Sequence, residues 1–182
     1  VILQRAGIFA KYPSPERKYY PEGSKDPEGY WTDTYVNLCV IAYNTKLVSP
    51  QEVPKSYEDL LDPKWKGRIG MDNEAFDWFY TMVNLMGRDK GLKYMEKLSD
   101  QKPVFSRGTT LICQLLAAGE TRIAISVYNY TIEDFKKKGA SVEWVNLPHI
   151  PIVSLLHPIA VSASAPHPHA ARLFLDFVLS RE

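Results

Sequence analysis

The chain is short of almost everything that announces catalysis or a scaffold. Of its 182 residues two are cysteines, Cys39 and Cys113. Both sit in apolar stretches of different predicted elements and read as buried free thiols, and no spacing resembles a zinc site. Neither sign of charge dominates: 22 Lys and Arg stand against 21 Asp and Glu, a net charge of +1, so a broad electrostatic surface for nucleic acid is excluded. No apolar run approaches the length that spans a bilayer, and no signal peptide precedes the first elements. The sequence has no internal repeat, no Gly-rich phosphate loop, no nucleophile–base spacing and no closed set of metal ligands. It opens at Val1 inside a predicted helix, residues 2–9, and stops at Ser180-Arg-Glu182 in a helix tail. Both ends read as cut from a longer chain, so the missing leader says nothing of location.

What is present is an ordinary globular composition, 45% hydrophobic, with enough length for one good core or one domain and part of another. Residues 11–34 are rich in Pro, Gly and Tyr and read as irregular. Tyr35–Tyr43 is a long apolar strand. Pro54–Leu61 reads as a short helix capped by Ser56, with Asp59 completing a capping-box-like pair, and Arg68–Met71 as a buried strand. Phe79, Met82, Val83 and Met86 fall on one helical face, and Leu92, Met95 and Leu98 line a second helix after Gly87. A helix after Gly108 carries Leu111, Ile112, Leu115 and Leu116 on one side. Strand 122–127, helix 132–138 and strand 142–145 follow. A last strand covers 157–163, and a final helix, 170–179, turns Leu173, Phe174, Phe177 and Val178 inward. Strands alternating with helices imply a mainly parallel sheet with helices on both faces.

The segment Ser106–Tyr130 is the most informative. It reads as loop, short helix, Gly119 stop, strand and tyrosine-bearing strand end, which aims a helix start and two phenols at one sheet edge. Free backbone N–H groups and the helix dipole favour an anion there.

Three stretches carry a family resemblance across nearly the whole chain: Pro54-Lys-Ser-Tyr-Glu-Asp-Leu-Leu-Asp-Pro-Lys-Trp-Lys-Gly-Arg-Ile-Gly70, Leu115-Leu-Ala-Ala-Gly-Glu120, and Ala165-Pro-His-Pro-His-Ala-Ala-Arg-Leu-Phe174 with Asp176-Phe-Val-Leu-Ser180 after it. Their order and wording resemble bacterial extracellular solute-binding proteins, the ligand-capturing subunits of ABC importers, in the ferric-iron-binding-like branch. The resemblance implies a type II periplasmic-binding-protein fold, two α/β lobes joined by crossing strands and closing on ligand by a hinge. On that template residues 1–43 are a remnant of the first lobe with one crossing strand, 44–157 a complete second lobe, and 158–182 the returning strand and a first-lobe helix. It also implies a periplasmic or extracellular setting, with a lipid anchor as one option, a membrane permease as partner, and no catalysis.

Three loops of the second lobe are then expected to meet at the ligand. The first is Asp72-Asn73 through Asp77-Trp78. Its acids stand where many anion binders have Ser and Gly, which leaves room for a cation or polar ligand; helix capping by Asp72 or Asn73 is the plainer reading. The second is Arg107-Gly108-Thr109-Thr110, where the glycine admits close approach and a threonine can cap the helix and meet a ligand. The third is Ser126-Val-Tyr-Asn-Tyr130, with Tyr128, Asn129 and Tyr130 as its candidate ligand residues. Ferric-binding relatives carry adjacent tyrosines there, since Fe(III) favours phenolate oxygen, whereas here Tyr130 matches the second and Asn129 replaces the first. As strand residues Tyr128 and Tyr130 would share a face, making them candidate ligands of Fe(III) as cargo. The His-bearing run Pro166–His169 reads as a helix start rather than a metal site. Two other readings stay open: an α/β enzyme using Asp72, Asp77 or the histidines as acid–base groups, and a sensor lobe without transport.

Overall fold

Gly7 cuts the predicted first helix short. Helix α1 (Ile2–Arg5) gives way there to a positive φ of 71°, which a side chain would strain, and strand β1 (Phe9–Ala10) follows. The structure, a computed structural model, describes residues 2–146, 148 and 150–181. Its chain divides into two units, Asn37–Leu155 and Val1–Val36 with Leu156–Glu182.

The larger unit is built on a sheet. Strand β2 (Thr32–Asn44) enters it and is longer at both ends than its apolar run. After a 3-10 turn at Glu58–Leu61, β3 (Ile69–Asp72) leads to α2 (Phe76–Met86) and α3 (Arg88–Asp100). Then come β4 (Val104–Ser106), α4 (Thr109–Ala118), β5 (Ile123–Tyr128), α5 (Asn129–Lys137), β6 (Val142–Trp144) and β7 (Val153–Ile159). The sheet order is β4-β3-β5-β2-β6, with β7 pairing β2. Strand β3 runs parallel to both its neighbours, β4 and β5, and β2 runs antiparallel to β5 and β6. The parallel trio is the expected α/β core, and the antiparallel β2 extends it.

Each face of the sheet is covered, as the alternation of its residues requires. Ile41, Ile69, Ile123 and Ile125 bury against Trp78 and Met82 of α2 and Leu98 of α3. Val40, Ala42, Ala124 and Val127 bury against Ile112, Cys113 and Leu116 of α4 and Ile132 of α5. Helix α4 stops at Gly119 in the left-handed conformation, where the N–H groups of Gly119 and Glu120 donate to Leu116 O and Leu115 O.

Several faces differ from the sequence expectation. In α2 the buried aromatic is Trp78, while Phe79 is half-exposed; in α3 Tyr94 turns in and Leu92 outward. The α4 core takes Cys113 rather than Leu111. The predicted helix at Pro54–Leu61 is one 3-10 turn, although its capping pair is real: Ser56 Oγ donates to Asp59 Oδ1 at 2.9 Å and accepts from Asp59 N at 3.2 Å. Helix α5 starts three residues earlier than periodicity indicates, at Asn129.

The smaller unit pairs β1 with β8 (Val161–Ser162) and packs α6 (Pro168–Leu179) on them. Its core is Val161, Leu175 and Leu179, with Ala171 completing the i, i+4, i+8 line of α6. That line, not the phenylalanines, faces inward: Leu173, Phe174 and Phe177 are all more than 60% exposed, opposite to the predicted face. Tyr12 donates to Asp176 Oδ2 at 2.7 Å and fixes the helix against the preceding loop.

Two stability tests follow from this packing. A Cβ on Gly91 of α3 would lie 2.6 Å from both the Cα and the carbonyl oxygen of Val83 in α2, so the helices touch by backbone. Gly91→Ala should cost about 1–3 kcal/mol in urea unfolding, the usual penalty for overpacking; an unchanged midpoint would contradict the close crossing. Burial pushes the Cys113 thiol up to about 12, and burial followed by the nearby Asp77 pushes Cys39 up to about 11. Both should resist a thiol reagent at pH 8 in the native protein and react fully in denaturant. Rapid labelling of the folded chain would refute it.

Candidate functional site

Parallel pairing places three strand ends side by side. Asp72 of β3 stands level with Ser106 of β4, and Met71 with Ile125 of β5, so Asp72, Ser106 and the Ser126–Tyr128 end of β5 share one edge. Each strand is followed there by a helix start, and none of α2, α4 and α5 has a side-chain cap. The carboxyl edge of parallel strands is where open α/β sheets bind ligands.

Between β3, α2 and β5 lies a small cavity of about 60 Å³ lined by Cys39, Asp72, Glu74, Asp77, Trp78, Ser126 and Tyr128, all within the larger unit. Four of the predicted residues, Asp72, Asp77, Trp78 and Tyr128, therefore meet. Asp72 does not cap α2: its Oδ1 accepts from Glu74 N at 2.9 Å and shapes the loop. Asn73 donates its backbone N–H to Ser106 O at 3.1 Å, tying the loop to β4. With Asp72 it borders a second, apolar cavity of about 250 Å³ formed with Met71, Phe76, Phe79, Met95 and Phe105.

The second predicted loop reaches the first through one bond, Arg107 Nε to Glu74 Oε1 at 3.1 Å, between exposed side chains. Such a pair positions more than it stabilises. The cap of α4 is Gly108 itself, at φ 85°, so the expected threonine cap is absent and the Thr109 and Thr110 hydroxyls are not spent on the helix. Gly108, Thr109, Thr110 and Asn129 stand outside the lining of the 60 Å³ cavity.

The third loop differs most from expectation. Tyr128 ends β5, but Asn129 and Tyr130 already belong to α5, so the two phenols do not alternate along a strand. A helical turn brings them together instead: their rings stack with centroids 5.7 Å apart and planes 17° from parallel. Tyr130 is 55% exposed, and Tyr128 is partly buried. Burial first, then the negative surroundings of Cys39, Tyr130, Asp72 and Asp77, hold the Tyr128 phenol above its ordinary value. Among the described residues, no three of His, Cys, Asp and Glu form a group that could hold a metal ion.

Sequence reasoning placed Ser126 and Glu74 within the candidate loops without singling either out as a ligand residue. Glu74 could have been found as one of three acids within six residues. Ser126 has no such signal. The β2–β5 register shifts between Val40 and Ala42, so β5 carries an extra residue, and Ser126 sits at φ 57°. Glycine is the usual occupant of a left-handed bulge. The bulge restores Val127 to the α4–α5 face and leaves the Ser126 hydroxyl, 95% buried, without a hydrogen-bond partner in the cavity.

Known proteins share this architecture. The Fe(3+)-binding periplasmic protein of Serratia marcescens is 20% identical over 190 residues, covering 100% of this chain and 56% of that protein. The major ferric iron-binding protein of Neisseria gonorrhoeae is 26% identical over 151 residues, 79% of this chain and 45% of that one. Iron-bound HitA from Pseudomonas aeruginosa superposes with a TM-score of 0.89 at 25% identity, over 99% of this chain and 60% of that structure. AfuA from Actinobacillus pleuropneumoniae, a periplasmic binding protein with fructose-6-phosphate bound, gives 0.84 at 25% identity over the same shares. The chain thus spans about half the length of the curated relatives it matches. A family model matches residues 3–182, and on that match the chain belongs to the bacterial extracellular solute-binding proteins.

Proposed function

We propose that this chain supplies the complete second, ligand-holding lobe, residues 44–157, and part of the first lobe of the solute-capturing component of a bacterial ABC importer. The convergence of Asp72, Asp77, Trp78 and Tyr128 on one hollow at the carboxyl edge of β3 and β5 carries this reading. Asn73, Arg107, Gly108, Thr109, Thr110, Asn129 and Tyr130 frame that edge and complete the ligand set. The protein works outside the cytoplasmic membrane, and a permease reads its loaded form. Capture requires no covalent step: a solute favours the closed form by as much as it binds that form better. Uncapped α4 presents backbone N–H groups beside two threonine hydroxyls, which suits an anionic portion of the solute.

Fe(III) is a second candidate cargo, favoured by the stacked Tyr128 and Tyr130 phenols. A hard trivalent cation would displace their protons on binding, against the upward push on Tyr128.

A thermal-shift screen against ferric citrate, organic anions and organic cations tests the proposal, since a ligand of the native state raises apparent stability. One class should raise the melting temperature in proportion to log concentration; turnover of a substrate with no such shift would favour an enzyme. For the solute so found, Thr109→Ala and Tyr130→Phe should each weaken binding about five-fold, the loss of one net hydrogen bond, with the unliganded melting temperature unchanged. Full affinity in both variants would remove α4 and α5 from the site.

A further inference from the structure

The 60 Å³ cavity is lined by both acids and aromatic rings. Asp72, Glu74 and Asp77 contribute carboxylates, Trp78 and Tyr128 contribute rings, and no basic side chain is among its lining residues. Ser126, also in the lining, is 95% buried, and its hydroxyl has no hydrogen-bond partner among the described residues. A buried polar atom left unpaired is destabilising, and Ser126 sits in a left-handed bulge of β5. We propose that this cavity is a subsite for a protonated amine carried by the transported solute. This rests on the solute-binding reading above and names the chemistry of one end of that solute.

The size fits. A volume of about 60 Å³ holds roughly two water molecules' share of liquid, enough for an ammonium and its first methylene but not for a whole solute. So does the chemistry. An ammonium has three donors and no acceptor, and its hydrogens meet the Ser126 hydroxyl, the Tyr128 oxygen and a carboxylate. The Trp78 and Tyr128 rings add the attraction of an aromatic face for a cation. An anion would meet three carboxylates, of which only Glu74 has a basic partner among the described residues, Arg107. A metal ion would need converging ligands, whereas among the described residues these acids do not form a metal-holding group, and an ammonium accepts them spread around it. The negative potential also registers on the neutral partners, since Asp77 helps keep protons on both Cys39 and Tyr128.

Matched pairs test the assignment by calorimetric titration of the protein: putrescine against 1,4-butanediol, and 4-aminobutyrate against butyrate. Each amine should bind at least ten-fold more tightly than its amine-free partner. Asp77→Asn should reduce that preference about ten-fold. Ser126→Gly is the more telling variant, because glycine relieves the positive φ while removing the hydroxyl; it should leave thermal stability equal or higher and still lower the amine preference several-fold. A merely structural serine would leave the ratio untouched. Equal affinity within both pairs overturns the amine assignment while the solute-binding reading stands. No binding by any of the four overturns it as well, and a blank thermal-shift screen alongside would take the solute-binding reading with it.

Discussion

Everything at the candidate site depends on the parallel register of β3 with β4 and β5. Asp72 opposite Ser106, and Met71 opposite Ile125, are backbone facts. A one-residue slip would send each side chain to the other face of the sheet. The register is held where both faces are buried: Ile69 and Ile123 on one side, Ala124 and Val127 on the other. Asp72 and Ser106 end their strands level with one another and β5 runs on to Tyr128 beside them, so the loops that follow open on one edge.

The same sheet tolerates a local cost at Ser126. Left-handed backbone in a residue with a Cβ is unfavourable by about 1–2 kcal/mol, and the unpaired hydroxyl adds to it. Neighbouring residues 123–125 and 127 are wholly buried, so the core over-determines the strand and holds the bulge in place. Strain kept by surrounding structure is a reason to look for function at that point. Ser126 is also the point at which β5 changes phase, turning Val127 back toward α4 and α5 and aiming Tyr128 at the acids of the 72–77 loop.

The alternating pattern, the Gly87, Gly108 and Gly119 boundaries and the Ser56–Asp59 pair were legible in the sequence because each is set by local chemistry. What was not legible depends on neighbours. Trp78 and Phe79 are equally apolar, and only the position of β2 and α3 decides that Trp78 turns in. Strand β4 is three residues long, too short to show alternation. Helix α5 begins at Asn129 with no side-chain cap, so nothing in Tyr128-Asn129-Tyr130 distinguished a strand end from a helix start. In α6 the inward line is Ala171, Leu175 and Leu179, and the two large phenylalanines beside Leu173 outweigh it in any hydrophobic count. The helix starts suggested an anion and the acids a cation, and sequence alone offered no way to divide the edge between them.

The charged groups differ along that edge. A helix start carries about half a unit charge, and its influence fades within a turn, whereas Asp72, Glu74 and Asp77 each bring a full charge to the cavity between β3 and β5. The carboxylates therefore set the sign there, even with the α2 and α5 starts close by. Beyond the cavity lining, after β4, the α4 start has Gly108, Thr109 and Thr110 and no acid in its first turn. Arg107 lies between these regions and pairs with Glu74. In that exposed pair the guanidinium offsets Glu74, leaving Asp72 and Asp77 as the lining carboxylates with no salt bridge among the described residues. The edge thus offers a negative recess beside a donor-rich rim. A solute with one cationic and one anionic end would match both regions at once, while a simple anion or a simple cation would match one.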